Sequence, residues 1–313
     1  MVTDFVPPSV VLPVPLATKS HFSAIPKVLS TVSTQNTDDP IILGVDEAGR
    51  GPVIGPMVYG LAYTRKSEDK VLRKFGFDDS KKLTADKRTE LMQGMCGTEP
   101  ELFNSIGWAT TSITARDVSA GMLRPKGSTY NLNSQAHDVT MALIQGILDR
   151  GVNVQEVYID TVGPPVVYQK KLQGRFPGLS ITVTKKADSL FPIVSAASIV
   201  AKVTRDASIE QSRRCRTIDT VWGSGYPSDP RTSKWLNSNV HPLYGWDVNV
   251  RYSWQTAKDA IKRNNGIKMT WEDDLEESDD DYGDISHLMS SGSAASSFSD
   301  FDSVRCDWFV SST

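Results

Sequence analysis

The chain has 313 residues, 39% hydrophobic and 23% charged, which suits one large or two modest domains with a real core. Its three cysteines, Cys96, Cys215 and Cys306, lie far apart with no CxxC; this excludes a disulfide framework and a cysteine zinc module and points to a reducing compartment. The net charge of −3 conceals an asymmetry: 12 Asp and Glu face only Lys268 and Arg305 from Gly266 onward, while the first 265 residues carry a surplus of +7. A basic body with an acidic tail is compatible with nucleic-acid binding.

Residues 1–39 are rich in Pro, Ser, Thr and Val without periodicity and are expected to be mostly disordered. Their longest apolar stretch, Ser9 to Ala17, is broken by Pro13 and Pro15, so it is too short for a membrane span, and no basic segment precedes it. Residues 1–49 lack arginine, which argues against a mitochondrial transit peptide. A nuclear or cytosolic protein without a membrane segment is expected.

From Pro40 the texture changes. Ile41 to Val45 suits a buried strand, Ile54 to Tyr63 a second, and Phe103 to Ile113 a third, together an antiparallel meander. Thr84 caps a predicted helix that Gly97 ends. Asn133 to Arg150 places Ala136, Val139, Leu143 and Ile147 on one helical stripe, and Gly151 stops it. Glu156 to Asp160 and Ser180 to Thr184 read as strands. Pro192 to Ser212 reads as a helix buried at its start, and Trp235 to Asn264 as further helix and loop. Strands followed by strand–helix–strand imply an α/β fold, a mixed sheet flanked by helices. The catalytic body is expected over residues 40–272. Residues 273–313, acidic and Ser-rich, read as a disordered tail whose terminal Trp308, Phe309 and Val310 suit a short docking segment.

Carboxylates stand at predicted strand ends: Asp46 and Glu47 after Val45, Asp160 after Ile159, and Asp188 past Thr184. Singly, each reads as a helix cap or a surface ion pair. Together, at one edge of neighbouring strands about 5 Å apart, they would converge within metal-coordinating distance. Oxygen ligands select hard cations, so Mg²⁺ or Mn²⁺ is implied rather than zinc. Two such ions about 4 Å apart clamp the attacking water and the leaving oxygen of a phosphodiester, a nuclease arrangement. The four histidines show no motif spacing. In Asp46-Glu47-Ala48-Gly49-Arg50-Gly51-Pro52 the two glycines let the backbone approach a ligand, and Arg50 supplies charge. A tight hairpin turn is the plainer reading of that loop.

These residues resemble one family. DEAGRGP at Asp46 to Pro52 is similar to a type 2 ribonuclease H motif, as are DSK at Asp79 to Lys81, YNLN at Tyr130 to Asn133 and DTVG at Asp160 to Gly163. KAD at Lys186 to Asp188, the stretch from Ser195 to Asp206, GSGYPSDP at Gly223 to Pro230 and RYSW at Arg251 to Trp254 continue the match, which covers about residues 40–272 and resembles the eukaryotic branch of catalytic subunits.

The resemblance implies a ribonuclease H-like mixed five-stranded sheet with flanking helices and a helical C-terminal extension. It implies a metal-binding tetrad of Asp46, Glu47, Asp160 and Asp188 for two divalent ions. Gly49, Arg50 and Gly51 would touch the sugar–phosphate, Tyr226 would sense the 2′-hydroxyl, and Lys81 would contact phosphate. Lys202 and Arg205 would contact substrate or, equally well, form salt bridges at the end of a buried helix. The implied activity is hydrolysis of the RNA strand of RNA–DNA hybrids and cleavage 5′ to ribonucleotides embedded in duplex DNA. Two non-catalytic subunits of a heterotrimer, a nuclear setting, and roles in ribonucleotide excision repair and Okazaki primer removal follow from the same resemblance. The alternatives are another carboxylate nuclease on this fold and a non-catalytic hybrid-binding subunit.

Overall fold

The computed structural model describes residues 5–12, 15–30, 39–77, 82–125, 127–161, 163–214, 221–241 and 243–266. Six strands form one mixed sheet: β1 (Lys19–Phe22), β2 (Ile41–Ala48), β3 (Met57–Arg65), β4 (Gly107–Ile113), β5 (Val154–Asp160) and β6 (Ser180–Thr184), in the order β1-β4-β3-β2-β5-β6. β2, β3 and β4 are the antiparallel meander expected from their apolar runs, while β5 lies parallel to β2, and β6 parallel to β5. Parallel neighbours need crossovers, and helices supply them.

Ten α-helices are described: α1 (Asp69–Phe75), α2 (Ala85–Gln93), α3 (Pro100–Ser105), α4 (Ala115–Met122), α5 (Leu132–Leu148), α6 (Pro165–Arg175), α7 (Ala187–Leu190), α8 (Pro192–Arg214), α9 (Pro230–Ser238) and α10 (Gln255–Arg263). α5 starts where the Asn131 side chain accepts the Ser134 N–H at 2.9 Å, and Gly151 leaves the helical region at a φ of 83°. Its stripe of Ala136, Leu143, Ile144 and Ile147 packs on the face of the sheet that carries Ile41, Leu43, Val45, Val157 and Ile159. The other face receives α8. Among the described helices none is long and apolar enough to cross a membrane.

Glycine sets how closely α8 approaches. A Cβ on Gly44 of β2 would lie 2.5 Å from the Ile193 carbonyl oxygen, and one on Gly60 of β3 would collide with the Ala197 carbonyl and come within 2.8 Å of Ala201 N. Gly60 is the register partner of Asp46. The missing side chains therefore let α8 lie directly against the strand that carries a candidate ligand. A third cluster, built on Val53, Ile54, Trp222, Trp235, Leu236 and Val250, ties α9 and α10 to the loop between β2 and β3.

Three expectations need correction. The sheet has six strands rather than five, because Lys19–Phe22, within the stretch read as disordered, pairs antiparallel with β4. Four residues of which three are polar are too short to show alternation, but Phe22 packs on the main core, and the Arg150 guanidinium lies 4.2 Å from its ring centroid. The strand expected from Phe103 begins only at Gly107, because Pro100 in the first turn and the Glu99 cap start a helix there. The second strand begins at Met57, not Ile54, since Val53 and Ile54 donate their N–H groups to the Gly225 carbonyl instead. Lys81 and residues 273–313 lie outside the described residues. The close seating of α8 yields a test: Gly60→Ala should lower the unfolding free energy by about 3 kcal/mol, as overpacking against fixed backbone does. Unchanged urea denaturation would contradict the packing described.

Candidate active site

The parallel pairing of β2 with β5 puts Val45 opposite Ile159, so the next residues, Asp46 and Asp160, stand side by side where this pairing stops; β5 ends there, while β2 runs on to Ala48 along β3. Neighbouring strands lie about 4.8 Å apart. Glu47 projects to the opposite face from Asp46, because successive strand residues alternate; it sits among Tyr59, Tyr168 and Arg50, while Asp46 faces α8. Asp46, Glu47 and Asp160 line one cleft of about 180 Å³, walled by Asn133 and His137 of α5 and by Val167 and Tyr168 of α6. Asp188, 2% exposed in α7, follows Ala187, whose N–H donates to Asp160 Oδ1 at 3.2 Å. Asp188 is thus carried to the same strand edge without lining the cleft.

Asp46 is buried among like charges. Desolvation raises its carboxyl to about 7, Asp160 and Glu47 push the same way, and hydrogen bonds from the Ser198 hydroxyl and the Glu47 N–H offset only part. Burial also raises Glu47, opposed chiefly by Arg50, whose Nη1 lies 3.8 Å from Glu47 Oε1. Glu47 Oε1 and the Tyr59 hydroxyl are both buried, and neither meets hydrogen-bond geometry, although the hydroxyl is close enough to favour the ionised Glu47 carboxylate. Among the described residues, no three His, Cys, Asp or Glu side chains form a ready-made metal cage. The donor set nonetheless fits a hard divalent cation. It is all oxygen, one acceptor is orphaned, and the mutual repulsion is of the kind a cation relieves.

The turn after β2 is held from beneath. Gly49 has a φ of 79°, and a Cβ there would strike the Arg205 side chain and lie 2.7 Å from the Pro56 carbonyl oxygen. Arg251, 0% exposed, donates to the carbonyls of Gly49 at 2.6 Å, Arg50 at 2.9 Å and Gly55 at 3.0 Å. Trp254 Nε1 donates to Gly51 O at 2.9 Å, and the Arg251 guanidinium stacks 4.7 Å from its ring centroid. Burial, then repulsion from Arg205, pulls Arg251 down to about 9. Arg50 Nη2 donates to Asn133 Oδ1, which ties the turn to α5.

The other expected substrate residues divide. Tyr226 rests on Gly51, 3.4 Å from where a Cβ would stand, with 45% of its surface exposed. Arg205 is buried under Gly49 with Nε and Nη2 unpartnered, and its Nη1 lies 3.7 Å from Asp206. Lys202 does not line the cleft; it sits one turn before Asp206, whose carboxyl pKa is raised by burial, an effect that Arg205, Arg88 and Lys202 only partly offset. Sequence reading gave no role to Arg251, Trp254, Asn133 or His137. Asn133 and His137 stand four apart on the predicted α5, a spacing that shares one face. The three carbonyls that Arg251 holds lie about 200 residues away in sequence, beyond any local pattern.

A mixed sheet with carboxylates at the ends of adjacent parallel strands belongs to the ribonuclease H-like class of folds. The chain superposes on the ribonuclease H2 of Pyrococcus horikoshii with a TM-score of 0.59 and 30% identity, over 72% of this chain and 99% of that one. A ribonuclease HIII solved with Mn²⁺ shares the fold at a TM-score of 0.56 and 18% identity, over 72% of this chain and 70% of that one. The ribonuclease HII family model matches residues 43–257. The A subunit of ribonuclease H2 from Schizosaccharomyces pombe is 50% identical, over 86% of this chain and 81% of its own. The human protein of the same name is 43% identical, over 82% of this chain and 85% of its own. The chain belongs to the ribonuclease HII family, and it is an endoribonuclease.

Two outcomes follow from the electrostatics and the loop. With divalent ions chelated, the raised Asp46 carboxyl contributes stability in full below its unfolded value of 3.8, and this is lost as pH rises through about 7. Asp46→Asn should therefore gain stability over the native chain between pH 4 and 8, on the order of 4 kcal/mol; equal denaturation curves at pH 8 would contradict the assignment. Arg251→Met leaves three carbonyls unpaired and should speed amide exchange across residues 49–55 while costing about 2–4 kcal/mol of stability. Unaltered exchange there would show that the turn holds itself.

Proposed function

We propose that this chain hydrolyses the RNA strand of RNA–DNA hybrids and cuts 5′ to single ribonucleotides in duplex DNA, leaving a 3′-hydroxyl and a 5′-phosphate. The observation that carries this reading is the register that brings Asp46 beside Asp160, with Glu47 in the same cleft and the Gly49–Arg50–Gly51 turn attached. Asp46, Glu47, Asp160 and Asp188 would hold two Mg²⁺ or Mn²⁺ ions. Bound there, the ions supply activation of water and charge neutralisation at the phosphate.

The chain's own residues do the rest. Gly49 and Gly51 leave the turn free of side chains, so that a sugar–phosphate can approach its backbone closely. Arg50, braced by Asn133, faces the strand with positive charge. Tyr226, presented on Gly51, reads the 2′-hydroxyl and presses on the ribonucleotide. Arg205 acts from below, as a cation buried under Gly49, while Lys81 and Lys202 make outer phosphate contacts. Two non-catalytic subunits complete the working enzyme, which serves ribonucleotide excision repair and primer removal in the nucleus. The names of the relatives, each that of one component of a larger enzyme, support this assembly.

Cleavage of a duplex with one embedded ribonucleotide, with companion subunits supplied, tests the reading. Asp160→Asn should lose several orders of magnitude in rate while still binding the duplex, since phosphate contacts dominate affinity. Near-normal turnover in Mg²⁺ would exclude the metal assignment. Tyr226→Ala should lose more than Tyr226→Phe on that duplex, and both should lose less on long hybrids. Equal losses on both substrates would make Tyr226 structural.

A further inference from the structure

The α5 wall of the cleft holds a group that the carboxylate chemistry leaves unused. His137 lines the cleft, one turn after Asn133. Its ring stacks on Tyr168, centroids 3.9 Å apart and planes 13° apart. Tyr168 is itself only 6% exposed, so the imidazole is braced by a buried ring. His137 is half-buried, and no described residue offers its ring nitrogens a hydrogen bond. Its ring nitrogens are not sealed from water, so they remain open to a ligand that enters the cleft.

The neighbouring charges indicate which ligand. Arg50 of the Gly-rich turn, Lys171 of α6 and Asp138 of α5 itself are the charged groups acting on the ring. Lys171 Nζ lies 3.2 Å from Asp138 Oδ1, an ion pair at the protein surface. Arg50 is held beside α5 by its bond to Asn133. The wall next to His137 is therefore cationic on the side that faces the carboxylates. Burial and then Lys171 lower the ring's pKa, so at neutral pH it carries one N–H donor and one acceptor.

We propose that His137 is a substrate-contacting residue whose ring N–H donates to a sugar–phosphate oxygen of the strand bound in the cleft, next to the group held by Arg50. The inference rests on the nucleic-acid reading above and deepens it. Asn133 and His137, about 6 Å apart along α5, then form one continuous wall for that strand: Asn133 braces Arg50, and His137 contacts the strand directly. Its role is in holding substrate, so its loss appears in binding rather than in the chemical step.

The test separates the hydrogen bond from the ring stack. His137→Phe keeps an aromatic ring on Tyr168 but removes the donor, whereas His137→Gln restores an N–H donor without the ring. KM and kcat are measured on an RNA–DNA hybrid with the full chain and its companion subunits, and hybrid affinity is measured in EDTA by fluorescence anisotropy. His137→Phe should raise KM and weaken metal-free binding by about 10-fold, the scale of one hydrogen bond to a charged group. It should leave kcat within about twofold and thermal stability unchanged, and Gln should recover most of the affinity. Native affinity in the Phe variant, or loss in Gln but not in Phe, would overturn the proposal and leave His137 a packing residue. Failure of the native enzyme itself to bind or cut the hybrid would instead remove the functional reading, and this inference with it.

Discussion

Everything at the candidate site depends on one pairing, the parallel alignment of β2 with β5. Because both strands run the same way, their carboxyl ends arrive at one edge, and the register leaves Asp46 and Asp160 as neighbours there. An antiparallel pairing would have sent the two ends to opposite sides of the sheet. The alignment requires the chain to cross over between the strands, and α5 is part of that crossover. The helix that makes the pairing possible thus also supplies the wall with Asn133 and His137.

A second constraint acts from the opposite face. Glycine at positions 44 and 60 lets α8 lie against the strands, which brings Ser198 to Asp46 and Arg205 under Gly49. The site is expensive in the absence of ligands. It gathers buried carboxylates at one end and two buried arginines, Arg205 and Arg251, beneath the adjoining turn. Like charges held apart in this way favour ligands of opposite sign: cations at the carboxylates and phosphate at the turn. In the proposed reading, binding of both would relieve that repulsion.

Much of this was legible from residues alone. The placement of Asp46 and Asp160 follows from short apolar runs that stop at an acid, though β2 runs on to Ala48; α5 follows from its helical stripe and the stop at Gly151, and α8 from its apolar start. The Gly49–Gly51 turn stands out by its own residues and Tyr226 only by the family resemblance, and the fold sets the Tyr226 ring against Gly51. What escaped was non-local. The β1 strand is too short to carry a period, and its place is set by the free edge of β4. Arg251 is fully buried, contrary to the usual habit of arginine, because the three carbonyls it satisfies come from a turn far earlier in the chain. Glu47 adjoins Asp46 in sequence, yet strand alternation sends it to the other face of the sheet, and the two meet again only at the cleft.

The central claim is that the β2–β5 register builds a divalent-cation site from Asp46 and Asp160. Calorimetric titration of the chelated chain with Mn²⁺ addresses it without recourse to activity. Saturable binding in the native chain that is lost or weakened by about two orders of magnitude in both Asp46→Asn and Asp160→Asn is the outcome the account requires, since each removes a ligand charge. Native-like Mn²⁺ affinity in either variant would contradict it.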